Sequence, residues 1–133
     1  MTVLVTDTGF GPETWTTGFE AENVLNLASD ADPIEVAKAL DGIEMIRVNF
    51  PSFADGRGFT IARQLRLLGY DGRLRAEGHV IADQYAMARR SGFDEVEISD
   101  DLATRQPEDQ WLARANWQAH DYQARVRARA AAK

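Results

Sequence analysis

Three short stretches of this chain are apolar on one face only, and that property limits the fold more than any motif does. They are EMIRVNF (Glu44–Phe50), RLRAE (Arg73–Glu77) and DEVEIS (Asp94–Ser99), each reading as a β-strand. Between them lie two helical patterns. Thr60–Leu68 aligns Ile61, Leu65 and Leu68; Ala82–Ser91 aligns Tyr85 and Ala88 with the preceding Ile81. Gly69 and Gly92 stop these helices. Strand–helix–strand–helix–strand with short links implies parallel pairing and right-handed crossovers, which place both helices on one side. Buried parallel strands normally read as almost continuous apolar runs. Here Ile46, Val48 and Phe50 oppose Arg47 and Asn49. Likewise Leu74 and Ala76 oppose Arg73, Arg75 and Glu77, and Val96 and Ile98 oppose Glu95 and Glu97. The apolar faces must receive the helices.

The expected architecture is therefore α/β: a small parallel sheet with helices on one face, resembling a partial β/α barrel. Its charged face is either wet, with cross-strand pairs of little net worth, or covered. The candidate covers are an N-terminal hairpin, the last helix, a second copy of the chain, or a ligand. Thr2–Thr6 and Trp15–Thr17 flank a Gly/Pro-rich turn and suggest that hairpin. Gly18–Asp30 is weakly patterned. Asp32-Pro33-Ile34-Glu35 is a strong helix start, with a helix expected to about Leu40. Pro107 opens a last helix with the stripe Trp111, Ala115, Ala119, Tyr122 and Val126, followed by a basic tail. A length of 133 residues fits one domain. Its parts are a hairpin region at 1–30, an α/β core at 31–101, and a terminal helix with its tail at 107–128.

A formal charge of -6 disfavours nucleic acid as a partner, because phosphate binding draws on clustered Lys and Arg. With no cysteine, the chain has no disulfide, thiolate metal site or thiol nucleophile. No HxH or HExxH spacing supports a metal site, and no cofactor motif is present. The start, MTVLVTDTGF, lacks the pattern of a signal peptide, and no run approaches the roughly 20 apolar residues that span a bilayer. The expected location is the cytoplasm, with no membrane partner.

Ligands of parallel α/β proteins gather at the carboxyl ends of the strands. That edge carries Asn49, Ser52, Asp55, Gly56, Arg57 and Gly58, then Glu77, Gly78, His79, Asp83 and Gln84, then Ser99, Asp100 and Asp101. The stretch DGRGFT at 55–60 precedes a helix, so its backbone N–H groups are placed to face an anion, with Arg57 as a clamp. It matches neither the P-loop nor the dinucleotide fingerprint, and Asp55 equally fits an Asx turn. His79, with Glu77 before it and Asp83 after it, is the better-placed histidine for proton transfer. Asp83 and Gln84 also suit the first turn of a helix, and Arg75 with Glu77 suits a strand ladder. Trp117 lies roughly opposite the Trp111 stripe on a helical wheel. It is an exposed interface anchor or it packs under the hairpin.

Phe53, Asp55-Gly56-Arg57, Leu65-Arg66, the Gly72–Gly78 run, Asp83-Gln84 and the segment from Arg90 to Asp94 together resemble the bacterial domain-of-unknown-function family 934. The likeness is close over Phe50–Ile98. Its members are small proteins loosely described as oxidoreductases, with genes commonly beside those for assimilatory sulfite reductase. The resemblance implies a role in reductive sulfur assimilation, with sulfite reductase as a partner. Family members often carry an acid where this chain has His79, which shifts weight toward Asp55, Arg57, Arg75, Asp83 and Gln84. Without cysteine the chain cannot itself hold a thiolate-bound redox centre. Two roles follow. One is an accessory protein contacting sulfite reductase or a second copy through its polar face or Trp117. The other is a small enzyme in which Arg57, Arg75, Gln84 and the DGRG amides hold an oxyanion and Asp83, His79 or Glu77 moves a proton.

Overall fold

The computed structural model describes residues 2–120 and has a mixed α/β architecture. Its strands are β1 (Thr2–Thr6), β2 (Gly9–Gly11), β3 (Val24–Leu27), β4 (Met45–Phe50), β5 (Arg73–Gly78) and β6 (Glu95–Ser99). Its helices are α1 (Pro33–Ala37), α2 (Arg57–Leu67), α3 (Tyr85–Ser91), α4 (Asp100–Arg105) and α5 (Glu108–Leu112). Single 3₁₀ turns occupy Ala82–Gln84 and Trp117–His120. One sheet runs in the order β2-β1-β6-β5-β4-β3. Strands β3 to β6 are parallel, and β1 pairs antiparallel with both β2 and β6. Among the described residues no helix is long and apolar enough to cross a membrane.

The three half-polar strands and the two crossover helices lie where their periodicity places them. Register sets Ile46 beside Leu74, Val48 beside Ala76, and Ala76 beside Val96, all fully buried. Against this face pack Phe59, Ile61, Ala62 and Leu65 of α2, and Tyr85 and Ala88 of α3. Phe50 anchors the far end through Phe59 and Phe93, with ring centroids 4.9 and 5.8 Å away.

Four features differ from expectation. The weakly patterned stretch contains β3, so α1 is a crossover between β3 and β4 rather than an isolated helix. Four residues at a sheet edge make too short a run for alternation to show. The hairpin returns at Gly9–Gly11 through the two-residue turn Asp7-Thr8, not at Trp15–Thr17. Gly9 takes a φ of 108°, open to glycine, and a Cβ there would collide with Glu108. Ser99, Asp100 and Asp101 form no loop: Ser99 caps α4, its hydroxyl accepting from the Leu102 N–H at 3.1 Å. The last helix is broken, with α5 ending at Leu112. Trp111 is buried against Tyr85, while Trp117 turns back on Arg89, and a continuous helix would hold them on opposite faces. Tyr122 and Val126 lie outside the described residues.

At Gly58 the backbone of α2 lies close against the sheet. A Cβ at this position would lie 2.4 Å from the Phe50 ring, which is buried and fixed by its aromatic neighbours. Gly56 has only ordinary contact at 3.9 Å and a φ of -86° that any residue adopts. Gly58→Ala is expected to lower unfolding free energy in urea by about 1–3 kcal/mol through overpacking. Gly56→Ala should stay within about 0.5 kcal/mol of the parent.

Candidate functional site

The charged side of the sheet is covered by the chain itself. Parallel register sets Arg47 beside Arg75 and Arg75 beside Glu95, so like charges adjoin along the sheet unless acids interleave. They do. Arg75 is fully buried, and its Nε donates to Glu95 at 2.5 Å while Nη1 donates to Glu97 at 2.7 Å. Arg73 donates to Glu95 at 2.8 Å and Arg47 to Glu97 at 3.1 Å. The outer edge of Arg75 meets Glu13, with Nη1 and Nη2 donating to its two oxygens at 2.6 and 2.7 Å. Such a fork on a carboxylate is the strongest geometry an arginine offers.

Glu13 belongs to the segment after β2, which crosses the polar face. Thr14 accepts from Arg73, Trp15 lies 6.0 Å from the Arg73 guanidinium, and Phe19 stacks on Arg47 at 3.8 Å. The Phe19 carbonyl accepts from Asn26 at 2.7 Å, and Asn26 accepts from Arg47 at 2.9 Å. Among the described residues, every buried polar side-chain atom has a partner. Burial disfavours the Arg75 charge, and the bonds to Glu13 and Glu97 outweigh it, raising its pKa above the ordinary arginine value. The same bond from Arg75 holds Glu13 down at about 2. Arg75 was expected to clamp a free anion, but the chain's own carboxylates fill its donors.

The DGRG loop is a turn closed on itself. Asp55 accepts from the Arg57 backbone N–H at 3.1 Å and from its guanidinium at 3.0 and 2.8 Å. Arg57 also donates to Ser29 at 2.9 Å. The Asp55 carboxylate thus sits at the start of α2, where an external anion was expected. These bonds lower the Asp55 pKa well below the usual carboxylate range and raise that of Arg57. Gly56 is the residue before the helix and Gly58 provides the close approach to Phe50.

At the end of β5, Gly78 has a φ of 115°, and a Cβ there would lie 2.7 Å from the Phe50 carbonyl oxygen. That carbonyl accepts the His79 backbone N–H at 2.9 Å and lies 3.3 Å from His79 Nδ1. Glu77 accepts from Asn49 at 2.8 Å. Glu77 and His79 share a cavity of about 290 Å³ with Ser99, Asp101 and Arg105. Asp83 is not brought to them: it faces Arg114, which donates at 2.5 Å. Gln84 is a clamp, accepting from the Ile81 N–H at 3.1 Å and donating to the Phe53 carbonyl at 2.8 Å. Next to this cavity is a cleft of about 490 Å³ walled by Phe53, His79, Ile81, Leu102, Arg105 and Gln106.

Trp117 does not stand free. Its indole donates to Asp7 at 3.2 Å, and Arg89 lies over its ring at 4.7 Å. Asp7 in turn accepts from Tyr85 at 2.5 Å and from Arg89 at 3.1 Å. A hollow of about 660 Å³ lies at the amino ends of β5 and β6 beside Trp117. Its Arg66 is spent on the carbonyls of Tyr70, Gly72 and Gly92, so it holds no free clamp. Sequence reasoning missed Glu13, Thr14 and Phe19 as partners of the sheet. No local signal marked them: the polar face carries three arginines and three glutamates, and only the structure shows that Glu77 bonds Asn49 rather than an arginine.

The fold and its charged layer define an open-sheet α/β protein with one face packed by helices and the other sealed by a strap. The chain belongs to the family described as bacterial protein of unknown function (DUF934), whose model matches residues 24–132. No curated protein and no solved structure matches it.

Glu13 is depressed from 4.5 to about 2 in the folded state, so its stabilisation is fully present above the unfolded value. It is lost as pH falls through about 2. Its charged partner is Arg75, with Glu95 and Glu97 behind it and Arg73 bonded to the adjacent Thr14. Urea unfolding of the parent and of Glu13→Gln, from pH 6 downward, is expected to show a less stable variant at pH 6. The gap should narrow as pH falls below 4.5, since carboxylates common to both proteins cancel in the difference.

Proposed function

We propose that this protein is a cytoplasmic, non-catalytic accessory component of assimilatory sulfite reduction that acts by binding sulfite reductase. The setting comes from the family resemblance centred on Phe50–Ile98. One observation carries the non-catalytic part: the groups suited to chemistry are spent on local structure. Asp55 and Arg57 bind each other, Asp83 binds Arg114, Gln84 clamps backbone, and Arg75 is enclosed by acids. No nucleophile–base–orienter chain of bonds links them.

One edge that stays open is that around Phe53, which is 59% exposed and forms a wall of the 490 Å³ cleft with Ile81 and Leu102. An exposed aromatic beside an apolar slot, rimmed by Arg105 and Gln106, is the composition of a protein-binding hot spot. The contact thus moves to this edge from the polar face, which the strap covers, and from Trp117, which is half-buried and bonded to Asp7. A small enzyme is the second reading, favoured by the meeting of Glu77 and His79 in one cavity.

Binding of the purified protein to purified sulfite reductase, measured by interferometry, decides between these readings. The accessory role predicts a complex that Phe53→Ser weakens by roughly tenfold or more with unchanged thermal stability. Absence of a complex, or equal binding by the variant, contradicts it. A second copy as the partner would appear instead as a Phe53-dependent dimer on size exclusion, which also contradicts it.

A further inference from the structure

The segment covering the charged face is attached in an unusual way. Among the described residues, no backbone–backbone hydrogen bond joins residues 12–20 to the rest of the molecule. The strap is held by side chains: Glu13 on Arg75, Thr14 on Arg73, and Phe19 over Arg47. Gly11 precedes it and Gly18, with a φ of 84°, lies within it.

The sheet beneath has a definite electrostatic requirement. Within the ion-paired cluster, Arg47, Arg73 and Arg75 share two sheet acids, Glu95 and Glu97, which leaves one positive charge unmatched there; Glu77 on the same face accepts from Asn49 instead. Glu13 supplies the match from the strap. Four donors converge on its carboxylate: Nη1 and Nη2 of Arg75 at 2.6 and 2.7 Å, and the N–H groups of Thr14 and Trp15 at 3.0 and 2.9 Å. The Glu13 side chain is 35% exposed, against 7% for Glu95 and Glu97, so solvent reaches this carboxylate and not the other two.

We propose that Arg75 forms a binding site for a monoanion presenting two oxygens, such as a carboxylate. Glu13 occupies it as an internal ligand, and a free monoanion competes with Glu13 and releases the strap. Fork geometry selects paired oxygens, and the single unmatched charge selects one negative charge. The internal ligand has the advantage of tethering, so competition requires high concentrations of a small anion.

Two measurements test the site. In Glu13→Ala, formate, acetate or nitrate is expected to raise the melting temperature saturably by several degrees over chloride at equal ionic strength. Sulfate should do so less. In the parent protein, the same anions at up to about 0.5 M should speed chymotrypsin cleavage after Trp15 and Phe19, by threefold or more over chloride. Mass spectrometry identifies the cut. If the variant does not fold, the parent's cleavage decides alone. Melting temperatures that do not distinguish these anions from chloride, or cleavage rates that ignore them, overturn the proposal and leave the cluster a structural ion-pair network.

Discussion

A guanidinium fully removed from water is the constraint on which the rest of this structure depends. Burying an unpaired charge costs several kcal/mol even after relaxation, so Arg75 is tolerated only with its nitrogens bound to carboxylates. Glu95 and Glu97 come from the neighbouring strand by parallel register. The third acid has to come from outside the sheet, and Glu13 brings residues 12–20 with it. The course of the strap, the placing of Trp15 and Phe19 over arginines, and the anchoring of the β3 edge through Asn26 follow from that pairing. A parallel sheet is normally covered on both faces. Here a short charged and aromatic strap closes the second face.

The carboxyl edge illustrates how polar residues in loops serve structure before they serve chemistry. Asp55 satisfies the start of α2, Ser99 caps α4, and Gln84 ties the β4–α2 loop to the turn before α3. Each has the residue type and position of a binding group, and each spends its bonds on a backbone or neighbouring partner. What remains is a cleft whose aromatic wall, Phe53, faces solvent.

Much of the fold was legible because period and polarity agree. Strands β4, β5 and β6 alternate cleanly, their helices are stopped by glycines, and the charged face followed from the pleat. That face carried the central finding too, although its cover did not. Glu13 lies in a segment without periodicity, and nothing local marks it as the partner of a residue 62 positions away. Edge strand β3 is too short for alternation to declare it, and β2, with two glycines among three residues, lacks strand propensity. The last helix was extended too far because Trp111, Ala115 and Ala119 keep helical spacing, whereas two tryptophans compete for burial on opposite sides. Asp55 was readable as an Asx turn or an anion cradle, and the bond from its own Arg57 decides for the turn.

The central claim is that the strap seals the polar face by docking on Arg75. Proton NMR of labelled protein tests it most directly, through the Arg75 Nε–H and the Phe19 ring. The structure places the Arg75 guanidinium 5.2 Å from the centre of that ring, with its Nε–H bonded to Glu95. A slowly exchanging Arg75 Nε–H, with nuclear Overhauser contacts from Phe19 to the Arg47 and Arg75 side chains, is the predicted result. Rapid exchange of that proton with no contact to Phe19 would mean that the face is open to water, and would contradict the account.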